Sequence, residues 1–276
     1  NTRGHDTSEL ARYIGVVLQN PASQMLSMTV EDDVEFGPAN LGLDREEISR
    51  RVTTAIEQTR LTGFEKRNPK DLSGGEQQSL VLASILSMMP EILALDEPVS
   101  MLDPLGKTRV FSLIRDLKER GYTILLAESG IDMEPATEHA DRVAIISRGE
   151  IVMIDEPHRV FAEKEMLTRA GIRPPQVTEL AWRLGETDPK RTPVTLDEGV
   201  QYVRKKLKGK RIRSLPERNV KTAKKGRPVI EVENVRHVFD SYPPVEALRG
   251  LSLTIREGEM IGLIGQNGSG KSTMAY

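Results

Sequence analysis

Gly265-Gln266-Asn267-Gly268-Ser269-Gly270-Lys271-Ser272 fits the spacing G-x-x-x-x-G-K-[ST]. It follows an apolar run, Met260-Ile261-Gly262-Leu263-Ile264, and opens what reads as a helix, so strand, loop and helix are expected in that order. The glycines let the backbone curl until successive N–H groups point at phosphate oxygens, and the helix start adds partial positive charge. Lys271 would supply a mobile cation for the β- and γ-phosphates, and Ser272 a hydroxyl for Mg²⁺. The residues from Gly265 through Thr273 are therefore the expected phosphate-binding loop. A glycine-rich turn with an incidental lysine is the other reading, and the strand–loop–helix setting argues against it.

The loop sits near the end of a chain of 276 residues, long enough for about two domains of about 150 residues each. With 38% apolar, 29% charged and 4% aromatic residues, the composition is that of a globular protein and excludes general disorder. There are no cysteines, which removes disulfides, thiolate nucleophiles and cysteine-ligated metals, and four scattered histidines argue against zinc. The longest apolar stretch, residues 80–95, is interrupted by Ser84, Ser87, Pro90 and Glu91 and falls short of the about 18 residues that a spanning helix needs. The N-terminus has no signal pattern and the last residues stop inside an expected helix, so both ends look cut.

Net charge is −2, unevenly spread: residues 204–227 hold twelve Lys and Arg against one acid, Glu217, which leaves the rest of the chain at −13. Such a run suits anionic lipid or nucleic acid. It equally suits a solvated linker, and the absence of interleaved aromatics and the presence of Gly209, Pro216 and Gly226 favour the linker.

Earlier in the chain, residues 14–18 (IGVVL) read as a buried strand running into a loop at Gln19. Asp44-x-x-Glu47 resembles a capping box, and Ile48, Val52, Ala55 and Ile56 form a helical stripe, so residues 30–70 read as helical. A further helix should run over 77–88 with Pro90 past its end. Strands are expected at 92–95 and 122–127, a helix between them at 108–118, and a hairpin over 142–154 turning at Arg148-Gly149. Alternation of this kind predicts an α/β sheet with a helical insertion. After about residue 170 the prolines and the basic run read as a connector, and strand patterns return at 229–235 and 248–255.

Four stretches gain meaning from their order. Leu72-Ser73-Gly74-Gly75-Glu76 places free N–H groups at a helix start, where they could cap an anion; alone, it is a helix N-cap. Leu93-Ala94-Leu95-Asp96-Glu97 ends a strand with two carboxylates, Asp96 suited to Mg²⁺ through water and Glu97 to polarising an attacking water; alone, such acids are mostly solvated. Gln19 could sense a metal or a γ-phosphate. Together, Gln19, the LSGGE of 72–76, the LALDEP of 93–98 and Leu102-Asp103 resemble, in family order, the Q-loop, signature, Walker B and D-loop of an ABC-type ATPase. Residues 19–42 are similar to the group serving energy-coupling factor (ECF) vitamin and cobalt uptake.

The resemblance implies a P-loop NTPase-like α/β core with a helical subdomain at about 27–88. In the family the phosphate loop precedes the signature; here it comes about 190 residues after it. The economical expectation is two consecutive ABC domains: 1–170 belonging to a first domain without its own phosphate loop, 171–227 a linker, and 228–276 the start of a second. The family's ATP sites are shared, so the loop Gly265–Thr273 would face the signature Ser73–Glu76, with Phe239 stacking on adenine and Tyr242 its rival. Asp103 would be the D-loop aspartate; Glu97 and Gln19 would be catalytic in the other composite site, which uses Gln19, Asp96 and Glu97 with parts that are missing here, and Ser272, Asp96 and Gln19 would be the Mg²⁺ ligands. Where the family carries a switch histidine, Ser129 stands, which cannot carry positive charge and implies slow hydrolysis at the site built on Glu97. His139 and His158 read as surface residues.

The implied function is an ATPase subunit, at the cytoplasmic membrane face, that powers import of a vitamin or transition-metal ion through separate integral-membrane subunits. It would pair with a second ABC domain in the complete chain or a dimer, with no specific nucleic-acid partner. The alternatives are a tandem ABC protein acting on ribosome or RNA, and a sugar-importer ATPase. The piece alone should be inactive or bind nucleotide weakly through Lys271. Sequencing outward should find a phosphate loop upstream and a second signature and carboxylate pair downstream; start and stop codons at the present ends would mean a permuted single domain.

Overall fold

The computed structural model describes residues 3–129, 133–209, 226–240 and 244–276, which fall into two compact units, Asn1–Arg211 and Ile212–Tyr276. In the first unit α1 (Thr7–Leu10) leads into β1 (Ile14–Val17). The helical insertion consists of α2 (Val30–Asn40), α3 (Arg45–Gln58) and α4 (Gly74–Leu86). Asp44 caps α3 as its spacing predicts, accepting from the Glu47 N–H at 2.9 Å, and Ile48, Val52, Ala55 and Ile56 are its buried face. Between α3 and α4 the chain is not continuous helix: Gly63 takes a left-handed φ of 86° and a 3-10 turn spans Pro69–Asp71.

Next come β2 (Ile92–Asp96), α5 (Pro104–Glu119), β3 (Thr123–Ala127) and α6 (Met133–His139). The three strands pair in parallel in the order β1-β2-β3, with Val17 opposite Leu95 and Asp96 opposite Ala127. Parallel pairing requires crossovers, and the helical insertion and α5 supply them. One core joins the sheet to α2–α5 through fully buried side chains such as Val17, Leu80, Leu82, Leu93, Leu95 and Leu113. Residues 14–18 are not buried on both faces as expected: Val16 and Leu18 remain 47% and 44% exposed, because the helices cover one side of β1.

The antiparallel hairpin of β4 (Val143–Ser147) and β5 (Glu150–Asp155) turns at Arg148 and Gly149, both left-handed at φ 53° and 83°. Beyond it lie α7 (Pro157–Ala162), α8 (Lys164–Ala170), α9 (Gln176–Arg183) and α10 (Leu196–Leu207). Ile145, Val160, Phe161, Leu167 and Val194 form a second core here. The connector expected from 171 is thus in large part folded. Ala181 is buried on α9, and Thr195 caps α10 in a capping box with Glu198. The prolines mark the ends of short helices, which a compositional reading takes for a linker. Residues 210–225, most of the basic run, lie outside the described residues.

In the second unit β6 (Pro228–Phe239) and β7 (Val245–Arg256) pair antiparallel, and α11 (Lys271–Ala275) comes directly after the glycine loop. Residues 260–264 do not form the expected strand, and Met260 and Ile264 are almost fully exposed. A strand needs a neighbour to take up its N–H and C=O groups, and β6 and β7 pair with each other.

Packing in the first unit is tightest at Gly15, where an added Cβ would overlap Ile85 Cγ2 of α4 and lie 3.2 Å from Pro90 Cγ. Gly15→Val is expected to lower stability by about 1–3 kcal/mol, with Gly15→Ala in between, as read by denaturant unfolding.

Candidate functional site

The three parallel strands end at one edge of their sheet, where open α/β folds place their ligands. Gln19 lies two residues past β1, Asp96 closes β2 with Glu97 next, and Ser129 lies two residues past β3. Gln19 Nε2 donates to Glu97 Oε2 at 2.9 Å, joining residues 78 positions apart in sequence. Glu97 has a left-handed φ of 43°, which costs a side-chain-bearing residue about 1–2 kcal/mol. Its N–H donates to Ala127 O at 3.0 Å, and the Ser100 N–H and hydroxyl donate to its carbonyl at 3.2 and 3.1 Å. Asp96 and Ser129 are exposed.

Ser73 is the N-cap of α4, and Gly74 and Gly75 form its first turn. The Glu76 carboxylate accepts from the Ser73 N–H at 2.9 Å and from its hydroxyl at 2.8 Å, and Arg109 of α5 pairs with it at 3.2 Å. Burial would raise the Glu76 carboxyl, but the bonds from Ser73 and the Arg109 charge outweigh it and hold it below its ordinary value. A Cβ on Gly75 would lie 3.1 Å from Gly106 Cα, so the glycine also serves the close approach of α4 and α5. Asp103 caps α5 through the Gly106 N–H at 2.8 Å. Sequence reasoning alone passes over Gly106 and Arg109, although Asp103-Pro104 is a helix-start signal that places both in the first two turns of α5.

In the second unit Gly268 and Gly270 are left-handed at φ 76° and 88°, and a Cβ on Gly265 would lie 2.5 Å from Ser269 Oγ. The loop is therefore a tight curl that side chains would fill. Lys271 Nζ donates to Gly265 O at 2.8 Å and Gln266 O at 2.6 Å, and lies 3.4 Å from Ser269 Oγ, which holds the cation over the loop. Gln266 and Asn267 are exposed, and Ser272 and Thr273 lie in the one-turn helix α11. Phe239 ends β6 half-exposed, edge-on to His237 at 4.7 Å; Tyr242 lies outside the described residues. His139 O accepts from Lys118 Nζ at 2.5 Å, and His158 pairs with Glu198 at 2.9 Å, so both hold structure together.

Among known proteins, the ABC transporter family model matches residues 1–100 and 248–276. An ABC transporter ATP-binding protein of Pyrococcus abyssi is 41% identical over 210 residues, covering 75% of this chain and 74% of that protein. The chain belongs to the ABC transporter ATP-binding family. The energy-coupling factor transporter ATP-binding protein EcfA of Methanocaldococcus jannaschii is 38% identical over 65% of this chain and 64% of its own length. The solved structure of CbiO1 from Clostridium perfringens, described as part of the ABC transporter complex CbiONQ, superposes with a TM-score of 0.53 at 34% identity, covering 62% of this chain and 68% of that one. The chain spans about half the length of other curated relatives that it matches nearly end to end, 47% of one and 46% of another.

The ABC family's mixed α/β fold accounts for the parallel sheet and the helical insertion. The family model's two matched segments leave the intervening region unmatched, where the second core and α9–α10 lie.

Because the Glu76 carboxyl is lowered on folding, its ionised form contributes stability above its ordinary value of 4.5, and that contribution is lost as pH falls through the lowered folded value. Glu76→Gln should reduce stability at pH 7 and flatten the acid limb of the melting-temperature profile; an unchanged limb would mean that Arg109 and Ser73 do not favour the charged form.

Proposed function

We propose that the chain is the nucleotide-handling part of an ATPase that powers import of a small solute, a vitamin or transition-metal ion, through separate integral-membrane subunits. The reading rests on the Gln19–Glu97 hydrogen bond, which puts an amide and a carboxylate together at the carboxyl edge of the parallel sheet. The similarity to EcfA and to CbiO1, both named as transporter components, supports it. No helix among the described residues is long and apolar enough to cross a membrane, in keeping with a chain that joins the cytoplasmic membrane face through its partners.

The residues fit ATP and Mg²⁺. Residues 265–273 form a curl that is tight at Gly265 and Gly270, where an added Cβ would lie 2.5 Å from Ser269 Oγ and 2.6 Å from Ala247 O, with the Lys271 cation over it, which suits a polyphosphate. Taken each in its own unit, the Ser272 hydroxyl beside the glycine loop and the oxygens of Asp96 and Gln19 at the strand ends are donors of the hard class that suits Mg²⁺, which keeps most of its waters and needs few protein ligands. When bound, Mg²⁺ neutralises charge developing on the phosphates. Lys271 exchanges its two carbonyl partners for phosphate oxygens, and Ser73, Gly74, Gly75 and Glu76 present the start of α4 to an anion. Phe239 offers a half-exposed ring for stacking on adenine. Glu97, held by Gln19 and by its fixed backbone, orients the attacking water and accepts its proton.

The domain arrangement belongs to the same proposal: residues 1–170 form part of one ABC domain and 228–276 begin another in a longer tandem chain, or the second domain comes from a dimer. Val16, Leu125, Ile146 and Ile151, 47%, 67%, 64% and 61% exposed, are apolar surface that a further β layer would cover.

In this chain Lys271→Ala should weaken ATP binding by about tenfold or more, measured by fluorescent-nucleotide titration. In the complete protein Glu97→Gln should lower hydrolysis at its site by about 10²-fold or more, and Ser129→His should raise it. An unresponsive Ser129→His would remove the serine from the switch role, and copurification with ribosomes instead of an integral-membrane protein would overturn transport.

A further inference from the structure

A pocket of about 600 Å³ opens in the first unit, and none of the strand-end residues lines it. It is walled by His158 of α7, the loop 186–193, and the polar face of α10, and its volume is that of a small-molecule site. Its charge is lopsided. Lys190, Arg191, Lys205, Lys206 and Lys208 line it, against Glu186 and Glu198. Both acids are already engaged: Glu198 holds His158 at 2.9 Å, and Glu186 faces Lys206 at 3.8 Å. Burial would raise the Glu198 carboxyl, but the Val194 and Thr195 N–H groups and His158 bring it below its ordinary value, so it stays ionised and committed to them. Arg191 pairs with Asp188 at 3.4 Å. Lys190, Lys205 and Lys208 are left without an ion pair among the described residues.

Cations in the last turn of α10 also complement its dipole, which accounts for Lys205 and Lys206 without any ligand. That does not account for Lys190, which comes from a different segment to the same pocket. Unpaired ammonium groups that two separate segments bring to one pocket are satisfied by anionic oxygen.

We propose that this pocket binds a mono- or diphosphate group, carried by a soluble metabolite or by a lipid headgroup, through Lys190, Lys205 and Lys208. The concave shape favours a small headgroup over the long backbone of a nucleic acid, whose binding surfaces are grooves with stacking aromatics. The site is independent of the nucleotide reading, since none of its residues belongs to the phosphate loop or the strand ends.

The test titrates inorganic pyrophosphate into the chain carrying Lys271→Ala, which takes the glycine loop out of competition, and reads the heat of binding. One saturable event is expected, weakened about tenfold by Lys190→Ala or by Lys205→Ala and falling steeply with salt. Both lysines are exposed, so these variants should melt like the parent. In a parallel arm, sedimentation with vesicles containing phosphatidic acid, sensitive to the same variants, would place the phosphate on a lipid headgroup; heat with pyrophosphate alone would place it on a soluble ligand. Failure of both probes to bind, binding indifferent to Lys190→Ala and Lys205→Ala, or binding of single-stranded RNA alone would overturn the proposal.

Discussion

Helix α4 can lie against both the sheet and α5 only because the chain omits side chains at the points of contact. Gly15 lets Ile85 and Pro90 press onto β1, and Gly75 and Gly106 let the backbones of α4 and α5 meet. The buried leucines of α4, β2 and α5 then close around that contact, and their burial, at about 25 cal/mol per Å² of apolar surface, drives the first unit to fold. The same contact brings the capped start of α4 within reach of Arg109 and sets β1 beside β2. A bulkier residue at any of these three glycines would therefore disturb the packing and the candidate site together.

Elements whose local signal agrees with their packing were legible. Asp44 with the stripe Ile48, Val52, Ala55 and Ile56 predicts α3, and the hairpin turning at Arg148-Gly149 accords with the left-handed backbone those two positions adopt. The stretch after 170 reads as a connector because α9 and α10 are short and follow prolines, while α9 is held through Trp182 against a second core contributed by β4, α7 and α8. Periodicity within so short a helix cannot announce a partner that lies elsewhere in the chain. Residues 260–264 failed in the opposite sense. Their apolar pattern is that of a strand, but a pattern states only what a segment can do, and pairing depends on a neighbour.

The candidate site was legible as a set of residue types in order, and less so as geometry. That Gln19 and Glu97 would meet depends on the parallel register of β1 and β2, which the sequence does not display. Ser73 has a structural part of its own: its hydroxyl and N–H both bond to Glu76. Capping and anion binding draw on the same exposed N–H groups at a helix start, so one segment can serve both.

The conformation of Glu97 separates the requirements of stability from those of position. Its left-handed backbone is unfavourable for a residue with a side chain, and its hydrogen bond to Gln19 is exposed to water, where such bonds contribute little net stability. Stability alone would favour glycine there. Instead the backbone is pinned on one side by Ala127 O and on the other by Ser100, bonds made through main-chain atoms that any residue at 97 would offer. The fold thus fixes the direction of the side chain by contacts that do not involve it, leaving the carboxylate to meet an amide from the neighbouring strand end. A surface acid serving solubility alone has no need of such a fixed direction.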